Sequence, residues 1–173
     1  SVAPPSLADG RADGEPLVAA AGDAASGIDL AALRDLPDLL RAHDWTVDAL
    51  VRDTRIVAVR PPGRPLLGLA IDLGTTNVVG HLIDLERGVQ LARLGLENPQ
   101  VAWGADLVAR MNHAIGGPAQ VAELRAAAVT AITALAHDLT RAVGAEAGDI
   151  VEAVICGNTA MQHLVLGLPV RQL

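Results

Sequence analysis

Lysine, phenylalanine and tyrosine are absent from this sequence of 173 residues, and all 13 basic residues are arginine. A Walker-type P-loop contacts phosphates through a lysine, and Schiff-base chemistry needs a lysine amine, so both are excluded for this chain. With Trp45 and Trp103 as the only aromatic residues, little surface is available for stacking bases. Because acidic residues also outnumber basic ones by 20 to 13, we expect no nucleic-acid partner.

Cysteine is nearly absent as well. Cys156 stands alone, so the chain can form neither an internal disulfide nor a cysteine cluster for zinc or iron. At the end of an apolar run, it is interpreted as a small buried side chain. The five histidines lack metal-binding spacing. No apolar run approaches a membrane span and no secretory signal is present, so we expect a cytoplasmic protein that engages no membrane.

The first 65 residues divide into three segments of different composition. Residues 1–27, rich in Ala, Gly, Asp and Pro, indicate a linker or loosely ordered arm. Residues 28–60 indicate a small α+β module, in which Asp29 can cap a helix, Pro37 can restart it, and TVDALV and RIVAVR form a hairpin. Residues 61–65, PPGRP, indicate a Pro-rich linker.

From residue 66 the pattern becomes more regular. Half of the whole sequence is apolar, which is enough for a packed core. We expect a meander of three strands at 66–72, 77–84 and 89–96. Helices are expected at 102–115, 119–143 and 160–166, with one further strand at 150–156. The strand at 150–156 is continuously apolar, which is typical of a strand buried on both faces of a mixed sheet.

The first strand ends in Asp72-Leu73-Gly74-Thr75-Thr76-Asn77. Gly74 lets the backbone approach a phosphate, successive N–H groups can form an anion-binding nest, and the two threonines add hydroxyl donors. Asp72 is suited to hold Mg²⁺ through water. The alternative is an ordinary hairpin turn, because all these residue types are common in turns. The apolar strand on each side favours the phosphate site.

A second loop, Gly157-Asn158-Thr159, precedes the last helix. Backbone N–H groups at the start of that helix can face an anion or a cleft between lobes, or Asn158 or Thr159 can simply cap the helix. Asp106 poses a similar choice between a direct role and a charge that offsets a helix dipole.

Longer stretches around these loops resemble known families. GLAIDLGTTNVVGHLIDLERG resembles the first phosphate motif of the superfamily containing actin, sugar kinases and heat-shock chaperone ATPases, whose nucleotide domain has a ribonuclease-H-like sheet. LENPQVAWGADLVARMNHA and AVICGNTAMQHLVLGLP resemble the ATP-dependent reductive activators of corrinoid proteins. LPDLLRAHDWTVDALVRDTRIVAVRPPG resembles the region before their ATPase domain. The resemblance implies an α/β fold: residues 66–173 form the first half of an actin-like ATPase domain with a mixed sheet.

By this resemblance, the full-length protein uses ATP and Mg²⁺ to return a Co(II) corrinoid to Co(I). A two-iron ferredoxin-type cluster in an upstream domain would carry the electrons. The implied partners are a corrinoid protein of a methyltransferase system and a low-potential electron donor. Asp72 is the candidate for catalysis and for Mg²⁺. The candidates for cofactor binding are Gly74, Thr75, Thr76, Asn77, Gly157, Asn158 and Thr159.

The sequence starts without Met and stops soon after a helix-like run, so we expect a fragment. The second phosphate motif and the adenosine motif would then lie beyond Leu173, and the fragment alone would turn over ATP poorly. Two other functions stay open. One is an actin-like kinase or an activator of the acyl-CoA dehydratase type, and the other is a non-catalytic module that forms a homodimer or binds partners.

Overall fold

The computed structural model describes residues 1–6 and 10–173. These residues form two compact units, Ser1–Arg64 and Pro65–Leu173. Each unit has a hydrophobic core of its own. The protein is therefore an α/β chain in which each unit buries its own apolar side chains.

The first unit is a three-stranded sheet with two helices. Its elements are α1 (Gly14–Ala21), β1 (Gly27–Ile28), α2 (Leu30–Ala42), β2 (Asp48–Arg52) and β3 (Arg55–Arg60). The strand order is β1-β3-β2, with β1 parallel and β2 antiparallel to β3. The predicted hairpin is confirmed, since its turn residues Asp53 and Thr54 have φ of 48° and 62°, as a two-residue hairpin loop requires.

Three expectations for this unit are wrong. Helix α1 lies within the segment expected to be a loose arm, and Leu17 and Ala25 are buried in the core; residues 7–9 of that segment lie outside the described residues. The amphipathic pattern is short there, and tertiary packing rather than periodicity stabilises the helix. Helix α2 also continues through Pro37 instead of restarting. Asp29 precedes α2, but its carboxylate pairs with Arg55 instead of capping the helix.

The second unit contains a four-stranded mixed sheet. Its elements are β4 (Leu67–Leu73), β5 (Asn77–Asp84), β6 (Val89–Glu97), α3 (Leu107–Ile115), α4 (Pro118–Ala142), β7 (Ile150–Gly157) and α5 (Thr159–Leu166). The strand order is β6-β5-β4-β7. Strands β4, β5 and β6 form the predicted antiparallel meander, and β7 runs parallel to β4. The carboxyl ends of β4 and β7 therefore meet at one edge of the sheet.

Helix α4 covers one face of this sheet. Its buried residues lie on one side at helical spacing and are Leu124, Ala128, Ala131, Leu135, Leu139 and Thr140. A Cβ at Gly80 of β5 would lie 2.9 Å from Leu139 Cδ1, so this glycine permits the close packing of helix on sheet. By length and composition α4 could also span a membrane, but such a test is passed by core helices too, and the buried leucines of α4 lie in the core of this unit.

Three expectations for the second unit need correction. Residues expected to begin a helix at 102 instead form a 3₁₀ turn, Pro99–Trp103, and α3 starts only after Gly104 and the capping residue Asp106. Strand β7 is not buried on both faces: it ends the described sheet, and Val154 is 62% exposed. Cys156 on the same strand is exposed, not buried.

Shortening a core side chain of α4 tests the packing of the second unit. Leu135 is fully buried against the sheet, so Leu135→Ala should lower the unfolding free energy of this unit by about 2 to 5 kcal/mol, from lost burial and the cavity left behind. Val129, on the same helix, is 44% exposed, and Val129→Ala should change it by about 0.5 kcal/mol or less. Urea denaturation followed by circular dichroism measures both. Equal effects would contradict this assignment of the core.

Candidate functional site

The turn between β4 and β5 is tight at Gly74. Its N–H donates to the Asn77 carbonyl oxygen at 3.0 Å. A Cβ at Gly74 would lie 2.6 Å from that same oxygen, closer than real Cβ atoms approach backbone. Glycine is therefore required for the close approach that closes the turn.

The threonines of the turn present hydrogen-bond donors. Thr75 is half-buried and Thr76 is exposed. None of the described residues accepts a hydrogen bond from the backbone N–H of Thr75 or Thr76. Two successive N–H groups and two hydroxyls are thus available at the sheet edge, which is a set of donors suited to phosphate oxygens.

Asp72 lies in the last part of β4, opposite Val79 on β5 and Cys156 on β7. It is exposed, and in the part of the chain that the structure describes its carboxylate accepts no hydrogen bond. The described residues contain no cluster of three or more His, Cys, Asp or Glu able to hold a metal. A metal ion here would take most of its ligands from water and phosphate, as Mg²⁺ does with one or two carboxylates.

The second predicted loop meets the first. Asn158 Nδ2 donates to Thr75 Oγ1 at 3.2 Å, while Asn158 Oδ1 accepts from Met161 N at 3.0 Å. Asn158 therefore caps α5 and also contacts the turn. A Cβ at Gly157 would lie 2.8 Å from the Leu73 carbonyl oxygen, so a glycine is needed where β7 leaves β4. Thr159 is exposed at the start of α5.

Asn98 is a further member of the site, which the sequence motifs alone do not predict. Fully buried after β6, it donates from Nδ2 to the Gly74 carbonyl oxygen at 2.8 Å. Its Oδ1 also accepts from Gln100 N at 3.0 Å. The available signal was a polar residue that directly precedes Pro99 at a strand end. Asp106 accepts from Ala109 N at 2.8 Å and so caps α3.

Comparison with known proteins identifies the family of this chain. A family model described as RACo middle region matches residues 67–173, and one described as RACo linker region matches residues 1–64. The chain belongs to the RACo family. The second unit of this RACo chain thus corresponds to the middle region and the first unit to the linker region.

Individual relatives agree with the family assignment. The RACo chain is 32% identical to the corrinoid activation enzyme RamQ of Eubacterium limosum over 122 residues, which are 69% of this chain and 21% of RamQ. It also matches a solved structure of a reductive activator for corrinoid, iron–sulfur protein, with a TM-score of 0.72 and 32% identity over 94% of this chain and 27% of the other. The RACo chain thus spans less than a third of either relative.

Proposed function

We propose that this chain is the nucleotide-binding part of an ATP-dependent, iron–sulfur-containing activator that reduces Co(II) corrinoid proteins to Co(I) in the cytoplasm. The observation that carries the proposal is the contact between Thr75 and Asn158, which joins the two predicted phosphate loops at one sheet edge in a RACo chain. Membership of the RACo family favours this function over a kinase or an acyl-CoA dehydratase activator.

We further propose that the second unit is the first half of a ribonuclease-H-like, actin-like ATPase domain. Supporting this is a sheet of three antiparallel strands followed by one parallel strand. Strand β7 ends the described sheet with exposed apolar side chains, Val154 and Ile155. Since the RACo chain spans less than a third of its relatives, a longer protein can supply the other half of the cleft.

Each residue at the sheet edge has a proposed role. The N–H groups and hydroxyls of Thr75 and Thr76 bind the β- and γ-phosphates of ATP. Asn158 orients the Thr75 side chain through a hydrogen bond, and Asn98 does the same for the Gly74 carbonyl oxygen from the interior of the unit. The free carboxylate of Asp72 holds waters that would bind Mg²⁺, which when bound neutralises phosphate charge. Gly157, at the end of β7, and Thr159, at the start of α5, face the phosphates.

The proposed mechanism is conformational. Phosphate contacts made by this sheet edge differ between ATP and ADP, because only ATP presents a γ-phosphate. ATP binds one arrangement of the two lobes more tightly than the other and so shifts the equilibrium between them. This shift acts on the corrinoid partner. The electron reaches cobalt from a low-potential donor, so Co(II) gains one electron as the donor loses one. No residue of this chain is assigned to the corrinoid or to the iron–sulfur cluster.

The test uses the full-length protein, a Co(II) corrinoid protein and a low-potential reductant, with the Co(I) absorbance followed with and without ATP. We expect Co(I) only with ATP. Thr75→Val removes the hydroxyl at nearly constant shape and should lower the rate at limiting ATP by about 10- to 100-fold, the effect of losing a hydrogen bond to a charged group. Thr130→Val, at an exposed position of α4, is the matched control. Equal Co(I) formation with and without ATP would contradict the proposal.

A further inference from the structure

A buried arginine lies behind the phosphate turn. Arg110 of α3 is fully buried, and its Nε donates to the Gly104 carbonyl oxygen at 2.8 Å. Among the described residues, nothing accepts a hydrogen bond from its Nη2. Burial lowers the pKa of the Arg110 guanidinium, and the Asp106 carboxylate partly opposes that shift. An arginine nevertheless stays charged, so this is a fixed positive charge in the interior of the unit.

The guanidinium is connected to the turn through one sulfur atom. Arg110 Nη1 donates to Met161 Sδ at 3.9 Å, and Asn98 Nδ2 lies 3.9 Å from the same sulfur. Asn98 Nδ2 in turn donates to the Gly74 carbonyl oxygen. Met161 also donates its backbone N–H to Asn158, the residue that contacts Thr75. The charge is therefore linked to both loops of the candidate site through Met161 and Asn98.

The hydrogen bond to Gly104 satisfies only part of this guanidinium. A buried guanidinium with an N–H group that lacks an acceptor among the described residues costs free energy. The exposed side of the turn, in contrast, offers hydroxyls and N–H groups but no lysine to meet several phosphate charges. A cation inside the protein acts more strongly on a nearby anion than an exposed one, because water and salt screen it less.

We propose that Arg110 is a positioning residue of the phosphate site, whose buried charge, held against Met161 and linked through that sulfur to Asn98, stabilises the polyphosphate of the bound nucleotide from the interior side of the turn. This inference rests on the proposed nucleotide function. It places the positive charge of Arg110, on α3, behind a turn whose own groups are neutral donors and one carboxylate. Since the guanidinium is fully buried, it acts through its field and through the two loops, without touching the ligand.

The test compares Arg110→Met, which removes the charge at similar length, with Arg110→Lys, which keeps the charge. Binding of ATP, ADP and AMP to the full-length protein is measured by calorimetry, and unfolding without nucleotide by urea. We expect Arg110→Met to weaken ATP binding by about 10- to 100-fold, the range for removing a group that supports a ligand-binding residue. The loss should be smaller for ADP and smallest for AMP, and Arg110→Lys should recover most of the affinity. Arg110→Met also loses the donor to the Gly104 carbonyl oxygen and should unfold at a lower urea concentration, an effect that does not differ between nucleotides. Arg141→Met removes an exposed charge from the same unit and controls for net charge.

The outcomes separate the two levels of the proposal. If the wild-type protein binds no ATP, both the nucleotide function and the role of Arg110 are wrong. If the wild type binds ATP and Arg110→Met binds it equally well, only the role of Arg110 is wrong. Equal losses in Arg110→Met and Arg110→Lys, or a loss that is the same for ATP and AMP, would assign Arg110 to packing and overturn its electrostatic role.

Discussion

Replacing Asp72 with asparagine is expected to raise the Mg²⁺ midpoint of ATP binding and of Co(I) formation by about 10- to 100-fold. This is the range for losing a group that orients metal-bound ligands. Asparagine keeps the shape of the side chain and removes only its charge. The carboxylate of Asp72 is exposed and accepts no hydrogen bond from the described residues, so its removal should leave the turn intact. The measurement is a Mg²⁺ titration of the full-length protein at constant ATP.

The control for Asp72→Asn is Asp138→Asn on α4, which removes a carboxylate that forms a surface ion pair with Arg141. It should leave the Mg²⁺ titration unchanged. If Asp72→Asn and the wild type show the same Mg²⁺ midpoint, Asp72 has no part in holding the metal, and the metal must be held elsewhere in the full-length protein.

Gly74→Ala is expected to have the largest effect on ATP binding of any single methyl group added to this chain. The new Cβ would lie 2.6 Å from the Asn77 carbonyl oxygen, so the backbone of the turn must move. Displacing the Thr75 and Thr76 donors by about 1 Å should cost roughly 100-fold in affinity. Overpacking should also lower the unfolding free energy by about 1 to 3 kcal/mol. Calorimetry and urea denaturation measure the two effects separately.

Gly148→Ala is the matched control, because nothing lies within 4 Å of a Cβ built at Gly148. It should bind ATP as the wild type does and be about as stable. If Gly74→Ala also binds ATP normally, the turn tolerates movement and does not hold the phosphates through a fixed set of N–H groups.

Local patterns were sufficient for most elements of the second unit. Alternating and continuous apolar runs predicted β4, β5 and β6 within a residue or two, and the helical period predicted α4. Where two local signals competed, the sequence was less reliable. A helix was predicted at 102–115, but Gly104 is extended, with φ of 161° and ψ of 124°, and α3 begins only at Leu107, after its cap Asp106.

Burial was predicted less well than secondary structure. The apolar run of β7 predicted a strand enclosed on both faces, yet Val154 and Cys156 are exposed. An apolar composition shows that a strand is able to be buried. Whether β7 is buried depends on its position, which is at the end of the described sheet. The prediction of a loose arm at residues 1–27 was wrong for the opposite reason, because Leu17 belongs to one core cluster with residues of α2 and β3 that are distant in the sequence.

The sequence by itself determined the tight turn at Gly74, the strands on both sides of it and the loop at Gly157, because glycine and polar turn residues interrupt apolar strand patterns at these points. Phosphate binding by the turn is a proposal that rests on the same residues. Only the tertiary structure decided that Asn158 contacts Thr75, that Asn98 holds the Gly74 carbonyl oxygen, and that Arg110 is buried behind them. These contacts join residues between 24 and 83 positions apart. Local periodicity contains no information on such pairs, since they depend on how the sheet and its helices pack together.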